Sequence, residues 1–356
     1  MSGKIELRRH DFNPGGGRTE RFFSAESKPG AFPDFEGEFS ALRQEYESAL
    51  AECGATPGEE LLLRFHLSDA ANQGPALRRF LGGRPASIVD QPPAAGTRVS
   101  LEAWIVEGTP LRCRVAYSPR PVGDDSYSQM YELFGKLADD AAAKRGSLDR
   151  NVLRTWIYCR DVDNNYPGVV RGRNRRFDEH GMRERYIAST GIGGGTDVPG
   201  QLVAMDALLC DGAAPEQTAL RALRNLSPTA LYGVRFERGM RIGWRDRDWF
   251  LISGTASIDC KGEVLHVGDV VKQSRRVVEN ISALLAEGGA GLADVRAATV
   301  YLRDPAELAA VRSVFDPVFR TIPCVYLRAP VCRPAWLVEC ECIAAKSAAN
   351  PDAPEL

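Results

Sequence analysis

The tightest constraint on this sequence is an internal repeat. Three times along 356 residues a long amphipathic helix precedes an apolar strand, a short helix and two further strands, within a β-α-β-α-β-β unit. In the first copy, Phe39, Leu42, Tyr46 and Leu50 line a helix over 36–52, followed by LLLRFHL, a helix over 73–81, ASIVDQ and SLEAWIV. The second copy has a helix over 127–145 with Met130, Leu133, Phe134 and Leu137 on one face, then VLRTWIYC, a helix over 169–180, YIASTGI and QLVAMDALL. The third has a helix over 267–288 with Val270, Val271, Val278, Ile281 and Leu285 along a face, then ATVYL, a helix begun by Asp304-Pro305, CVYLRAPV and WLVECECIAA. The strand ends align as HLSD, YCRD and YLRD, and capping of the next helix accounts for each aspartate.

A long helix over a small sheet leaves the other sheet face in need of cover, and three such faces can cover one another. The expected architecture is therefore α+β, with three units in one chain arranged as a pseudo-trimer. The division is an irregular arm at 1–35, units at 36–118, 119–229 and 230–346, and a flexible tail at 347–356.

Charge and cysteine usage exclude several classes of function. Lys plus Arg is 45 and Asp plus Glu is 47, so a formal charge of −2 advertises neither nucleic acid nor an anionic membrane as partner. The polar start MSGKIELRRH and the absence of a long apolar run point to a cytoplasmic protein without a membrane segment. Nine scattered cysteines with no C-x-x-C, and four histidines without ligand spacing, predict free thiols and no metal or other cofactor. The Gly-rich GIGGGTDVPG at 191–200 lacks a following Lys-Ser/Thr and leads into a strand, so it reads as a hairpin loop. The basic run RGRNRR at 171–176 reads as a solvated helix face.

The third unit resembles the Rid/YjgF (chorismate-mutase-like) fold in RFERGMRIGWRDRDWFLISGTASID and CVYLRAPVCRPAWLVECECIAA. Three such units on one chain resemble the chorismatases, through RTWIYCRDV, IASTGIGGG, FLISGTASI and VCRPAWLVE in that order. The resemblance implies cofactor-free cleavage of the enolpyruvyl ether of chorismate, releasing pyruvate and a cyclic acid. It places Glu339 on the catalytic glutamate, with Cys332 assisting. Gly254 and Cys332 together look like the 3-hydroxybenzoate-forming group, where the other group carries Ala at both positions. Arg333 matches a carboxylate-binding arginine, with Arg328 as a second clamp, and Thr255, Tyr158, Arg160, Asn165 and Tyr232 complete the implied substrate-binding set. The chain departs from the family around 165–177, where it reads GVVRGRNRRF and Gly172 stands at the substrate-facing tyrosine position.

Without the family, Glu339 and Glu341 lie two apart on a strand and share a face. If that face is solvated they are surface; if it lines a cleft, burial and like charge raise one pKa and leave a general acid. Cys332 reads either as a loop or core thiol or, with Arg333 beside it, as a thiol of lowered pKa suited to proton transfer. Two other functions fit the same residues, an imine or enamine hydrolase (or cyclisation enzyme) and a non-catalytic binder of a small acid. The expected partner is a small molecule, and the expected state is a monomer or a homo-oligomer.

Overall fold

The computed structural model describes residues 3–108, 110–117 and 120–356, apart from the side chain of Tyr232. The first unit contains β1 (Ile5–Phe12), β2 (Glu20–Ser27), α1 (Phe35–Glu52), β3 (Glu60–Leu67), α2 (Ala70–Leu81), β4 (Ser87–Asp90) and β5 (Val99–Val106). The second contains β6 (Cys113–Tyr117), α3 (Ser126–Ala143), the short α4 (Leu148–Asn151), β7 (Val152–Cys159), α5 (Val162–Glu179), β8 (Ala188–Gly193) and β9 (Val203–Cys210). The third contains β10 (Glu216–Leu220), β11 (Gly239–Gly243), β12 (Arg247–Ala256), α6 (Val270–Glu287), β13 (Val295–Leu302), α7 (Leu308–Val318), β14 (Cys324–Arg328) and β15 (Val338–Ser347).

The sheets share one core order: β2-β5-β3-β4, β6-β9-β7-β8 and β12-β15-β13-β14. In each, the strand after the long helix runs parallel to its edge partner and antiparallel to the closing strand. The α+β pseudo-trimer read from the repeat is thus the observed fold. Backbone bonds close the ring of units: Asp90 N to Gly195 O at 2.9 Å, Gly193 N to Pro330 O at 2.9 Å and Arg328 N to Pro92 O at 2.8 Å. The sheet faces meet around fully buried Trp104, Trp156, Trp244 and Trp249. Beside them lies a polar centre in which Arg64 bonds both Glu102 and Asp206, and Arg154 bonds Glu341.

Both chain ends depart from expectation. Residues 1–35 contain the β1–β2 hairpin, which pairs through β2 with β5. Glu20, wholly buried, accepts from Arg247 Nη1 at 2.6 Å, Trp249 Nε1 at 2.8 Å and Trp104 Nε1 at 3.0 Å. A buried charge disguises that strand in the sequence. The tail is also held: Arg245 N bonds Pro354 O at 3.0 Å, Asn350 Nδ2 bonds Trp244 O at 2.8 Å, and Leu356 is buried. The third unit starts earlier than residue 230, because β10 pairs with β11.

The long helices carry the expected core residues, each capped by an aspartate: Asp34, Asp125 and Asp269. On α6 the buried stripe runs through Val277 and Leu284, with Val271 and Val278 half-buried, because Gln273 and Asn280 occupy the buried face. Asn280 donates to Ala256 O and Ile258 O, and Gln273 joins Ala335 O and Leu337 N at 2.9 Å. Truncating Leu284 to Ala here costs about 2–5 kcal/mol. Of the three strand-end aspartates, Asp69 and Asp304 accept from backbone amides as caps. Asp161 instead has φ 48° and bonds only the Asn164 side chain among its side-chain contacts. From it α5 runs on through Pro167, seven residues earlier than the expected start at 169.

Candidate active site

A cavity of about 330 Å³ lies between the second and third units. The second unit supplies Tyr166, Pro167, Val170, Arg171 and Arg173 from α5, with Ser189 and Gly191 from β8. The third supplies Arg238, Gly254, Ala256, Ile258, Cys332, Arg333, Trp336 and Glu339.

Helix α5 reaches the cavity because it packs close to α3. A Cβ at Gly168 would stand 2.9 Å from Tyr127 N, and one at Gly172 would stand 2.6 Å from Tyr127 O. Glycine at 172 therefore serves the helix contact, not the substrate face. Tyr166, six residues earlier, is the tyrosine that lines the cavity.

Glu339 comes from β15 and is only 5% exposed. Burial, reinforced by the charge of Glu341, raises its pKa to about 8, with Arg238 and Arg154 opposing. The carboxyl is held against Gly254, where a Cβ would stand 2.8 Å from Glu339 Cδ. Glu341, two residues along, accepts from Trp156 Nε1 at 2.7 Å and Arg154 Nη2 at 2.9 Å. The two carboxyls of the strand thus differ, one in the cavity and one in an ion pair.

Cys332 borders the same cavity, but burial and Glu339 outweigh Arg333 and push its thiol up to about 12. The lowered thiol pKa expected from Arg333 is therefore corrected to a raised one, as for a buried core thiol. The Tyr166 hydroxyl is hydrogen-bonded to it, and Arg173 in turn to Tyr166. Arg173 is 2% exposed, and its Nε and Nη2 have no hydrogen-bond partner. The basic run is therefore not wholly a solvated face. Arg333 stacks on Trp336 at 5.0 Å, and Arg238 holds Ser227 O at 3.0 Å.

Several expected binding residues lie elsewhere. Arg328 is exposed and borders a separate cavity with Arg160, which bonds Thr196 O at 2.9 Å. Tyr158 donates to Asp206 in the polar centre at 2.9 Å. Thr255 is buried and donates to Ser253 O, on the strand face away from the cavity. Asn165 donates to Arg160 O at the start of α5. The Tyr232 side chain lies outside the described residues. Arg173, Arg238 and Tyr166 were not singled out from the sequence. Only the spacing of Arg173 from the helical glycines at 168 and 172 carried a signal of burial.

Among the described residues, the other two units carry no counterpart of Glu339. Aligning the ends of β3, β7 and β13, the closing-strand register puts Ser100 and Ala204 where the third unit has Glu339. Tyr326 likewise occupies the position of Gly191. No group of three or more His, Cys, Asp or Glu side chains among the described residues is arranged to hold a metal, and no helix among them is long and apolar enough to cross a membrane.

The family model for endoribonuclease L-PSP matches residues 237–346, within the third unit. Across 220 residues the chain is 30% identical to a 3-hydroxybenzoate synthase of Streptomyces hygroscopicus, covering 54% of this chain and 62% of that protein. Over 68 residues it is 37% identical to a 3-aminoacrylate deaminase RutC of Acinetobacter baylyi, covering 19% and 54% respectively. These matches span less than two thirds of the length of either relative. A crystal structure of a chorismatase shares the fold over 96% of this chain and 98% of its own, with a TM-score of 0.63 at 19% identity. That likeness is one of fold.

Proposed function

We propose that the protein cleaves the enolpyruvyl ether of chorismate, or of a closely related small dianionic acid, to a hydroxybenzoate and pyruvate without a cofactor. The carrying observation is Glu339, a buried carboxyl with a pKa of about 8 that faces a cavity lined by Arg171, Arg173, Arg238 and Arg333. At neutral pH it is an acid in a cationic pocket, which suits protonation of an enol ether bearing carboxylates.

The proton passes from Glu339 to the terminal methylene carbon, giving an oxocarbenium ion beside the new carboxylate. The ring C3–O bond then breaks and releases pyruvate as the neighbouring C4 hydroxyl oxygen, giving up its proton to Glu339, closes on C3. Opening of that epoxide at its C4–O bond, with the proton returned to the oxygen, leaves the hydroxyl on C3. The products together contain all the atoms of chorismate, so no net water is consumed. The ring gives up one proton as it becomes aromatic, and the Glu339 carboxylate takes it back. Arg173, with two unpaired nitrogens, is suited to one substrate carboxylate, and Arg333 or Arg238 to the other. The neutral Cys332 thiol, bonded to Tyr166, orients the ring side of the cavity without acting as a base. Gly254 with Cys332 supports 3-hydroxybenzoate as the product, as does the relative of that name.

The test is pyruvate release from chorismate by wild type and by Glu339→Gln, which keeps shape but removes the transferable proton. Turnover falls about 10²-fold or more with little change in KM. No pyruvate from wild type refutes the substrate, and equal rates refute the acid. The match to an aminoacrylate deaminase favours enamine hydrolysis as a second reading, for which ammonia release from an enamine is the distinguishing product.

A further inference from the structure

We infer that Arg154, Thr190 and Glu341 are positioning residues for Glu339, joined in one buried relay that crosses from the second unit to the third and fixes where that carboxyl stands. This inference rests on the acid role proposed for Glu339.

The ladder between β12 and β15 breaks between Ile252 and Thr255, leaving a bulge at Ser253-Gly254 directly beside the acid. Bulges re-aim neighbouring side chains and free a backbone amide from the ladder. Here the partners come from the other unit. Gly254 N donates to Thr190 Oγ1 on β8 at 2.8 Å. The same oxygen accepts from Arg154 Nη2 on β7 at 2.8 Å, and that nitrogen also donates to Glu341 Oε2 at 2.9 Å. Ser253 Oγ is held in parallel, accepting from Ser189 N at 2.9 Å and donating to Glu237 O at 2.7 Å. All three relay residues are buried. The seat of Glu339 against Gly254 is therefore set by a side-chain chain anchored on the second unit, not by the sheet alone.

The relay also carries charge. Glu341 shares the strand face of Glu339, and its negative charge opposes ionisation of the acid. The other groups around Glu339 are Arg154 from β7, Arg238 from the stretch before β11, Cys332 and Arg333 from the loop before β15, Tyr166 and Arg173 from α5, and Tyr301 opposite on β13. Removing the Glu341 charge leaves burial alone to oppose Arg238 and Arg154, and so favours the Glu339 carboxylate. Activity that needs the protonated acid then fails at lower pH.

Carbon-13 NMR of protein labelled at the glutamate carboxyls follows Glu339 directly, its resonance identified by its loss in E339Q. In E341Q the Glu339 midpoint falls by about one unit or more, and the alkaline limb of kcat falls with it. In T190V, close in shape but lacking the hydroxyl, kcat drops about tenfold with KM within about twofold, and T190S restores it. Melting curves confirm that each variant is folded. An unchanged midpoint in E341Q, or wild-type kcat in T190V, overturns the relay. If E339Q instead turns over like wild type, or wild type releases no pyruvate, the acid role fails while the NMR midpoint still decides the relay.

Discussion

Adding one methyl group at residue 254 tests the geometry of the site without touching any charge. In Gly254→Ala the new Cβ stands 2.8 Å from Glu339 Cδ, nearer still to Oε1, and 3.0 Å from Thr190 Cγ2, where ordinary contact begins at 3.4 Å. The backbone cannot yield freely, because Gly254 N is bonded to Thr190 Oγ1 at 2.8 Å. The carboxyl, at the free end of a side chain, must retreat by more than half an ångström. A misplacement of about 1 Å in a reacting group costs about 10²-fold in rate, so kcat for hydroxybenzoate release falls about 10- to 100-fold. Stability changes little, since the displaced atoms are those of a movable side chain. The assay is chromatographic measurement of aromatic product beside enzymatic measurement of pyruvate, with a melting curve on the same samples. A kcat within about twofold of wild type, with the protein folded, refutes the argument that Gly254 seats the acid.

Activity follows the protonated form of Glu339, so kcat falls as pH rises through about 8, and a stopped assay between pH 6 and about 9.5 reads the midpoint. Arg173→Met raises KM about 10-fold or more with a smaller effect on kcat, measured by steady-state kinetics, because a buried bidentate donor is lost. Glu26 is raised to about 7 mainly by burial, so its contribution to stability is complete below its unfolded pKa near 4.5 and lost as pH rises through 7. Glu26→Gln, compared with wild type by thermal melting at pH 5 and pH 8, gains Tm relative to wild type only at the higher pH. Dialysis against a chelator leaves pyruvate release unchanged, checked beside metal analysis of the same protein.

The repeat was legible because it rests on apolar spacing, which burial enforces. Phe39, Leu42, Met130 and Leu133 all enter cores as their spacing requires. What escaped was polar. Glu20 hides a strand because its partners Arg247 and Trp249 lie more than two hundred residues away. Gln273 and Asn280 shift the face of α6 because they satisfy backbone groups in other segments. Within the site, Glu339, Cys332, Arg333 and Gly254 were found through one contiguous motif and one strand end. Tyr166 and Arg173 were not, because their role depends on how closely α5 approaches α3. Arg328 misled for the opposite reason: closeness to Arg333 in sequence did not survive the turn at 329–332, which sends the two arginines to different cavities.

Fusion of the three units into one polypeptide has a consequence for how this pocket can change. In an assembly of identical subunits every substitution is repeated at each interface, so a residue that improves one wall must be tolerated at all of them. Here Ser100 and Ala204 stand where the third unit has Glu339, and Tyr326 stands where the second has Gly191. Two junctions have been free to lose the acid while the third keeps it. A titration with a tight-binding ligand of the acid pocket should accordingly saturate at one molecule per chain.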